Sequence, residues 1–318
     1  MKKEKIRLSA LLKVMAACVA VIFGIDFGVR MLWQRDLPAI VEEDGNFLPV
    51  GGTKKAPPTL VSGTEDELPT SPGGAVEPGC TTRTVTKGDI FKGRLVPYRG
   101  NAEVVLDTSE SRVNLAQYKN EYYTTLGEDL PLNKDAADGF NEMMEAYTLA
   151  TTLGDFAVYG TEVTITGPGS PCPIPFSESK TGNTVDLAVM GYGSVLAYDG
   201  LDVQKWVVDN CSNYGYVVRY PKGKNAITGE EYCPWHLRYV GAPHSLIMNA
   251  NGWCLEEYVA YLQAHTKDNP VKSNVGDRTY EIYSVPSMGD VTYLSVPLSG
   301  NYDISGDGST GYIITIEK

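Results

Sequence analysis

Residues 216–241, YVVRYPKGKNAITGEEYCPWHLRYVG, gather the side chains of this chain best suited to chemistry. Cys233-Pro234-Trp235-His236 sets a thiol three residues before an imidazole, and thiolate and imidazole are both zinc donors. The same thiol can equally stay reduced or enter a disulfide, and spacing alone does not choose between these fates. Arg219, Lys222 and Lys224 form a basic run that suits an anionic ligand or, as readily, a solvated turn. Trp235 and Tyr239 suit packing better than ligand stacking. Of the other two histidines, His244 reads as a loop residue rather than a substitute ligand. His265 closes an expected helix, where the helix C-terminus favours a cation.

Those side chains need positioning elements. The alternation over 216–220 predicts a strand, Pro221-Lys222-Gly223-Lys224 a turn, and residues 235–240 a second strand. Upstream, Ala136, Phe140, Met143, Met144 and Tyr147 recur at helical steps, so residues 133–151 read as an amphipathic helix capped by Asn133 or Asp135. Short strands are expected at 88–96, 102–105 and within 156–165. Downstream, residues 253–264 read as a helix with Leu255, Tyr258, Val259 and Leu262 on its packed face. Three alternating runs at 280–285, 291–296 and 312–316 predict a small antiparallel addition. Asp303 and Asp307 lack the ligand spacing of a calcium loop.

The whole chain has 318 residues and a net charge of −12. That balance argues against nucleic acid, which needs a basic footprint. Residues 1–7 are basic and precede an apolar run at 8–25, read as a retained signal anchor that sends the rest of the chain across a membrane. Residues 36–79 carry Pro57-Pro58, Ser71-Pro72-Gly73-Gly74 and Glu65-Asp66-Glu67, the composition of a disordered linker. The folded part is expected at 81–265, with the β extension at 280–318.

Residues 216–241 resemble the VanY-like zinc D-Ala-D-Ala carboxypeptidases, whose site reads RYPKGK, ITG, Glu-Pro-Trp-His and Arg-Tyr-Val-Gly. The resemblance extends more weakly to Leu132, Asn133, Lys134 and Ala136, and to residues 177–187, SESKTGNTVDL. There the family pattern is Ser-x-His-x-x-Gly-x-Ala-x-Asp, which Ser177, Gly182 and Asp186 match. The resemblance implies an α+β fold with helices on one face of a small antiparallel sheet, of the Hedgehog/D,D-peptidase kind. It also implies a zinc held by two histidines and an aspartate, with a glutamate as base and an arginine gripping the substrate carboxylate.

Three of those functions are altered here. Ser179 stands in place of the first histidine, leaving Asp186 and His236 as metal ligands. Cys233 stands in place of the catalytic glutamate, and residues 158–162 offer no arginine. A hydroxyl that stays protonated is a poor zinc ligand, and a thiol does not replace a carboxylate as proton shuttle. The resemblance therefore implies a domain that has lost catalysis and binds a peptidoglycan stem peptide or cell-wall enzymes, with Ser177, Arg219, Lys222 and Trp235 on the peptide side. No cofactor is the reading preferred. The alternative is a working zinc carboxypeptidase with Asp186, Cys233 and His236 as a remodelled ligand set. In the family's fold the regions of Cys172 and Cys233 lie together, so the resemblance makes a Cys172–Cys233 disulfide one candidate staple for the former site, beside a free thiol. Cys211 and Cys254 are candidates for a second bridge, which leaves Cys80 over.

Overall fold

The computed structural model describes residues 78–99, 104, 110–160, 177–191 and 194–318. The chain divides into two compact units, 1–37 and 38–318, and only the second carries described residues. Among these no helix is long and apolar enough to cross a membrane. The expected anchor at 8–25, nearly all of the linker at 36–79 and Cys172 lie outside them.

The chain opens with β1 (Cys80–Thr86), then β2 (Arg112–Asn114), the single turn α1 (Leu115–Tyr118), β3 (Thr124–Leu126) and β4 (Pro131–Asn133). The strand expected at 88–96 is instead a 3-10 helix, Lys87–Phe91. Its cause is local: the Asp89 carboxylate accepts from the backbone N–H and hydroxyl of Thr86, and that capping box draws the chain into a turn.

Next comes α2 (Lys134–Thr151), which buries Ala136, Ala137, Phe140, Met143, Met144 and Tyr147, the face expected from spacing. The apolar stripe packs on Val158, Val185, Leu187 and Leu237 of the main sheet. Asn133 holds the N-cap position without a side-chain cap bond. Its amide donates instead to Asn183 Oδ1 at 2.9 Å and to Glu110, tying the helix start to the sheet.

The main sheet runs β3, β5 (Phe156–Tyr159), β6 (Thr184–Gly191), β9 (Cys233–Tyr239) and β8 (Tyr216–Tyr220), with β7 (Ser194–Ala197) also paired to β6. All of its pairs are antiparallel except β3 with β5. Between β7 and β8 lies α3 (Lys205–Asn210), and between β8 and β9 the single turn α4 (Asn225–Thr228). The fold is thus α+β with a small, mostly antiparallel sheet, as the sequence implied.

A second core forms behind β8, where α5 (His244–Asn251) and α6 (Leu255–Leu262) pack on the C-terminal strands. These are β10 (Val271–Val275), β11 (Arg278–Pro286), β12 (Val291–Pro297), β13 (Tyr302–Gly306) and β14 (Gly311–Glu317). β10, β11, β14 and β13 make one antiparallel sheet. β12 stands outside it and pairs with β1 from Cys80–Pro297 to Thr86–Val291, so the first described strand joins the C-terminal strands in a two-stranded ribbon.

Candidate functional site

Sheet register builds the centre of the site. Tyr159 of β5 pairs with Asp186 of β6, and Asp186 pairs with His236 of β9, giving one rung across three strands. Cross-strand partners on one face approach closely, and here His236 Nδ1 meets Asp186 Oδ1 at 2.6 Å. The other ring nitrogen, Nε2, lies 3.2 Å from Oε1 of Glu178. Both partners are carboxylates, which only accept, so the ring donates from both nitrogens as an imidazolium. Burial opposes that charge, but Asp186 and Glu178 outweigh it and raise the His236 pKa to about 9.

Glu178 comes from the 3-10 helix Ser177–Thr181, which delivers the chain into β6. Its carboxylate is fully enclosed and takes donors from four side chains. Arg238 Nη1 donates at 2.7 Å, Tyr220 Oη at 3.0 Å, His236 as above, and Arg219 Nε lies 3.1 Å away. Burial alone would raise this carboxyl; Arg219, His236 and Arg238 hold it far below the usual carboxylate range. Arg219 in turn makes a two-pronged pair with Glu256 of α6, at 2.7 and 3.1 Å, and donates to the Tyr98 carbonyl at 3.0 Å. Tyr220 stacks on the His236 ring at 5.6 Å and lies under the Arg219 guanidinium at 4.7 Å. Asp186, Glu178 and Glu256 thus balance His236, Arg219 and Arg238 in one linked network.

Sequence reasoning did not single out Glu178. The signal was present: Arg219 and Arg238 sit at inward positions of buried strands, and two buried guanidiniums require a nearby anion.

Several expected site residues take other places. Arg219, expected on the peptide side, has no exposed surface, because Glu178, Glu256 and the Tyr98 carbonyl enclose it. Lys222 is exposed in the turn after β8. Lys224 pairs with Glu257 of α6 at 2.6 Å. Trp235 is half-buried and packs with Tyr220 and Cys233, a packing role. Ser177 begins the 3-10 helix that carries Glu178. His244 is not a loop residue: it opens α5, is buried, and contacts Tyr258 Oη at 2.8 Å and Thr315 Oγ1 at 3.1 Å. His265 faces the Tyr261 carbonyl at 2.9 Å, just beyond α6.

Cys211 and Cys254 do not form the bridge suggested for them, and both are buried thiols. Cys211 lies beside Val208 in the core under α2, whereas Cys254 caps α6, so the two belong to different layers. Burial pushes each thiol up to about 12. The other staple, Cys172–Cys233, lies outside the described residues through Cys172.

The remodelled ligand set does not assemble either. Among the described residues no group of three or more His, Cys, Asp or Glu side chains is placed to hold a metal ion. Cys233 pairs with Tyr220 across the sheet, at the far side of a bulge where Pro234, Trp235 and His236 oppose Arg219 alone. The thiol accordingly joins the Tyr220–Trp235 cluster. Ser179 Oγ is buried with no hydrogen-bond partner among the described residues. It is a protonated hydroxyl, not a third zinc donor. A catalytic zinc asks for three protein ligands and an open position, and the side chains of the described residues do not fit one.

Residues 173–242 match the VanY family, described as D-alanyl-D-alanine carboxypeptidase. The chain is VanY-like. A D-alanyl-D-alanine carboxypeptidase of Enterococcus faecium is 29% identical over 245 residues, 74% of this chain and 78% of that protein. The bifunctional D-Ala-D-Ala dipeptidase and D-Ala-D-Ala carboxypeptidase VanXYC of Enterococcus gallinarum is 58% identical over 50 residues, 16% of this chain and 26% of the relative. The fold matches the crystal structure of the vancomycin-resistance D,D-dipeptidase VanXYg, with a TM-score of 0.61 at 24% identity. That match covers 75% of this chain and 99% of the other. The VanY-like stretch holds the Glu178 carboxylate, the Asp186–His236 rung, Arg219 and Arg238 together.

Proposed function

We propose that this VanY-like domain binds a peptidoglycan stem peptide without hydrolysing it. In this reading residues 8–25 anchor it in the membrane and residues 36–79 hold it away from the surface. The observation that carries the reading is the state of His236, whose two ring nitrogens are both engaged by carboxylates, Asp186 at 2.6 Å and Glu178 at 3.2 Å. Hydrolysis would require a polarising metal and a base here, and the contacts made by the His236 ring nitrogens are to the two carboxylates. Ser179 and Cys233 stand at the other two positions that the chemistry needs, and neither is a carboxylate or an imidazole. A cell-wall ligand is supported by the relatives, whose names specify D-Ala-D-Ala substrates.

One observation favours the opposing reading of an active zinc carboxypeptidase. Asp186 Oδ1 and His236 Nδ1 converge, with the Glu178 carboxylate behind Nε2, and metal-binding histidines are commonly backed in this way. Zinc content and D-alanine release from a stem pentapeptide, measured on the purified full chain, separate the two. The proposal expects no stoichiometric zinc, no turnover, and saturable binding of the same pentapeptide. Turnover that depends on zinc would establish the enzyme; absence of both turnover and binding would leave a purely structural module. Alkaline carbonate extraction of cells tests the anchor: the full chain should stay in the membrane pellet, and deletion of residues 8–25 should release it.

A further inference from the structure

A cleft of about 670 Å3 opens between residues 91–99, α6 and the turn that joins β13 to β14. Its size is that of a small-molecule pocket, for which roughly 300–1,000 Å3 is usual. Among the described residues, none that lines it falls within the VanY match at 173–242. It meets the ion network only at Tyr98 and Glu256, on the Arg219 side, with Glu178 and His236 between it and Asp186.

The walls are mainly apolar: Phe91, Val96, Pro97, Tyr98, Val259 and Ala260. Phe91 keeps 42% of its surface exposed here, which is costly for an aromatic ring with nothing to cover. The turn forms one lip because Gly308, at φ +78°, lets the backbone come close to Pro97; a Cβ there would sit 3.0 Å from Pro97 Cδ.

The charges lining the cleft differ in their state. Glu256 is neutralised by its two-pronged pair with Arg219. Asp307 is buried and wrapped by donors from Gln263, Ser309 and Thr310. Arg99 alone is exposed, and it has no ion-pair partner among the described residues. An apolar cleft with one uncommitted guanidinium at its edge complements a molecule with an apolar body and one anionic end.

We infer that this cleft is a ligand site for an amphipathic carboxylate, its apolar group seated against Phe91, Pro97 and Val259 and its anion on Arg99. The inference is independent of any peptide bound near Asp186. A carboxylate of this kind can come from a peptide terminus or from a short acyl chain, and the probes distinguish them.

Isothermal titration of the full chain uses N-acetyl-leucine, its neutral amide, and hexanoate. One-to-one binding of N-acetyl-leucine identifies the peptide source, and binding of hexanoate in its stead the acyl source. The amide should bind about tenfold more weakly than the acid, the loss expected for one charge-assisted hydrogen bond. Arg99→Ala, at an exposed position, should cost the acid the same factor while leaving the melting temperature unchanged. Ala260→Trp should fill the cleft and abolish binding. No saturable binding of either carboxylate overturns the inference, as does full affinity in Arg99→Ala. Retained binding in a folded Ala260→Trp variant does the same.

Discussion

Glu178 is the residue on which the polar core depends. Its carboxylate lies between Arg219 and Arg238 and also faces His236 and Tyr220, all of them buried. Taking these ions out of water costs several kcal/mol each, and the mutual bonds offset that only while every member is present. Removing the anion takes the carboxylate from buried Arg238 and leaves Arg219 with the Glu256 carboxylate. Glu178→Gln should therefore destabilise the domain by about 3–5 kcal/mol, read from the urea midpoint at neutral pH. A loss under about 1 kcal/mol would mean that water reaches the network and screens it. The same change should leave Lys222 and Lys224 undisturbed, because they stand on the outer turn and Lys224 has its own partner in Glu257.

At the scale of elements, the join between the Ser177–Thr181 helix and β6 sets where Glu178 and Asp186 point. Gly182 makes that join, with φ +77° and its backbone carbonyl accepting from Asn133 N–H at 2.8 Å. A Cβ at this position would lie 2.8 Å from Asn133 Oδ1 and 3.2 Å from Asn133 N. Left-handed backbone costs a residue with a side chain about 1–2 kcal/mol before any clash. Gly182→Ala should thus lose about 2 kcal/mol or more, and should weaken any peptide binding near Asp186 along with it. An unchanged melting temperature would show that the start of α2 can move away, and that Asn133 does not hold the two elements in register. The β8–β9 bulge acts at the same scale, because it sets Cys233 opposite Tyr220 and beside Trp235.

For the whole molecule, two buried histidines act on stability from opposite sides. Burial, with Arg94 nearby, lowers the His244 pKa to about 3. Between that value and the unfolded value near 6.5 the unfolded chain binds the extra proton, so stability falls as pH drops through this window. His236 is raised to about 9, so its contribution is complete below about 6.5 and is lost as pH rises through 9. Glu178, held low, adds a further loss only below its ordinary value of 4.5. Stability of metal-free protein should consequently peak near pH 6.5 and decline on both sides. The acid limb approaches one proton, roughly 1.4 kcal/mol per pH unit, and should flatten in His244→Gln. A melting temperature that keeps climbing from pH 6.5 to 9 would contradict the His236 assignment, and one that stays flat from pH 4 to 6.5 would contradict the His244 assignment.

Much of this was legible in the chain because it is local. The apolar steps of α2, the alternation of β8 and the glycine-proline punctuation around it are written in neighbouring residues. So is the stretch 216–241, whose order of residue types carries the VanY-like resemblance, with Cys233 where that resemblance implies a glutamate. What the tertiary structure alone decided depends on residues distant in sequence. Asp186 and His236 are 50 positions apart and meet only through sheet register. Glu178 became the hub because Arg219 and Arg238 are carried inward by strands that pair elsewhere in the chain. Cys211 and Cys254 look like partners in a list of cysteines, yet they belong to different layers. The pairing of β12 with β1 joins segments some 200 residues apart, which no local pattern announces. Sequence determines which side chains can do chemistry. Burial and register then determine which of them share a charge, a proton or a core.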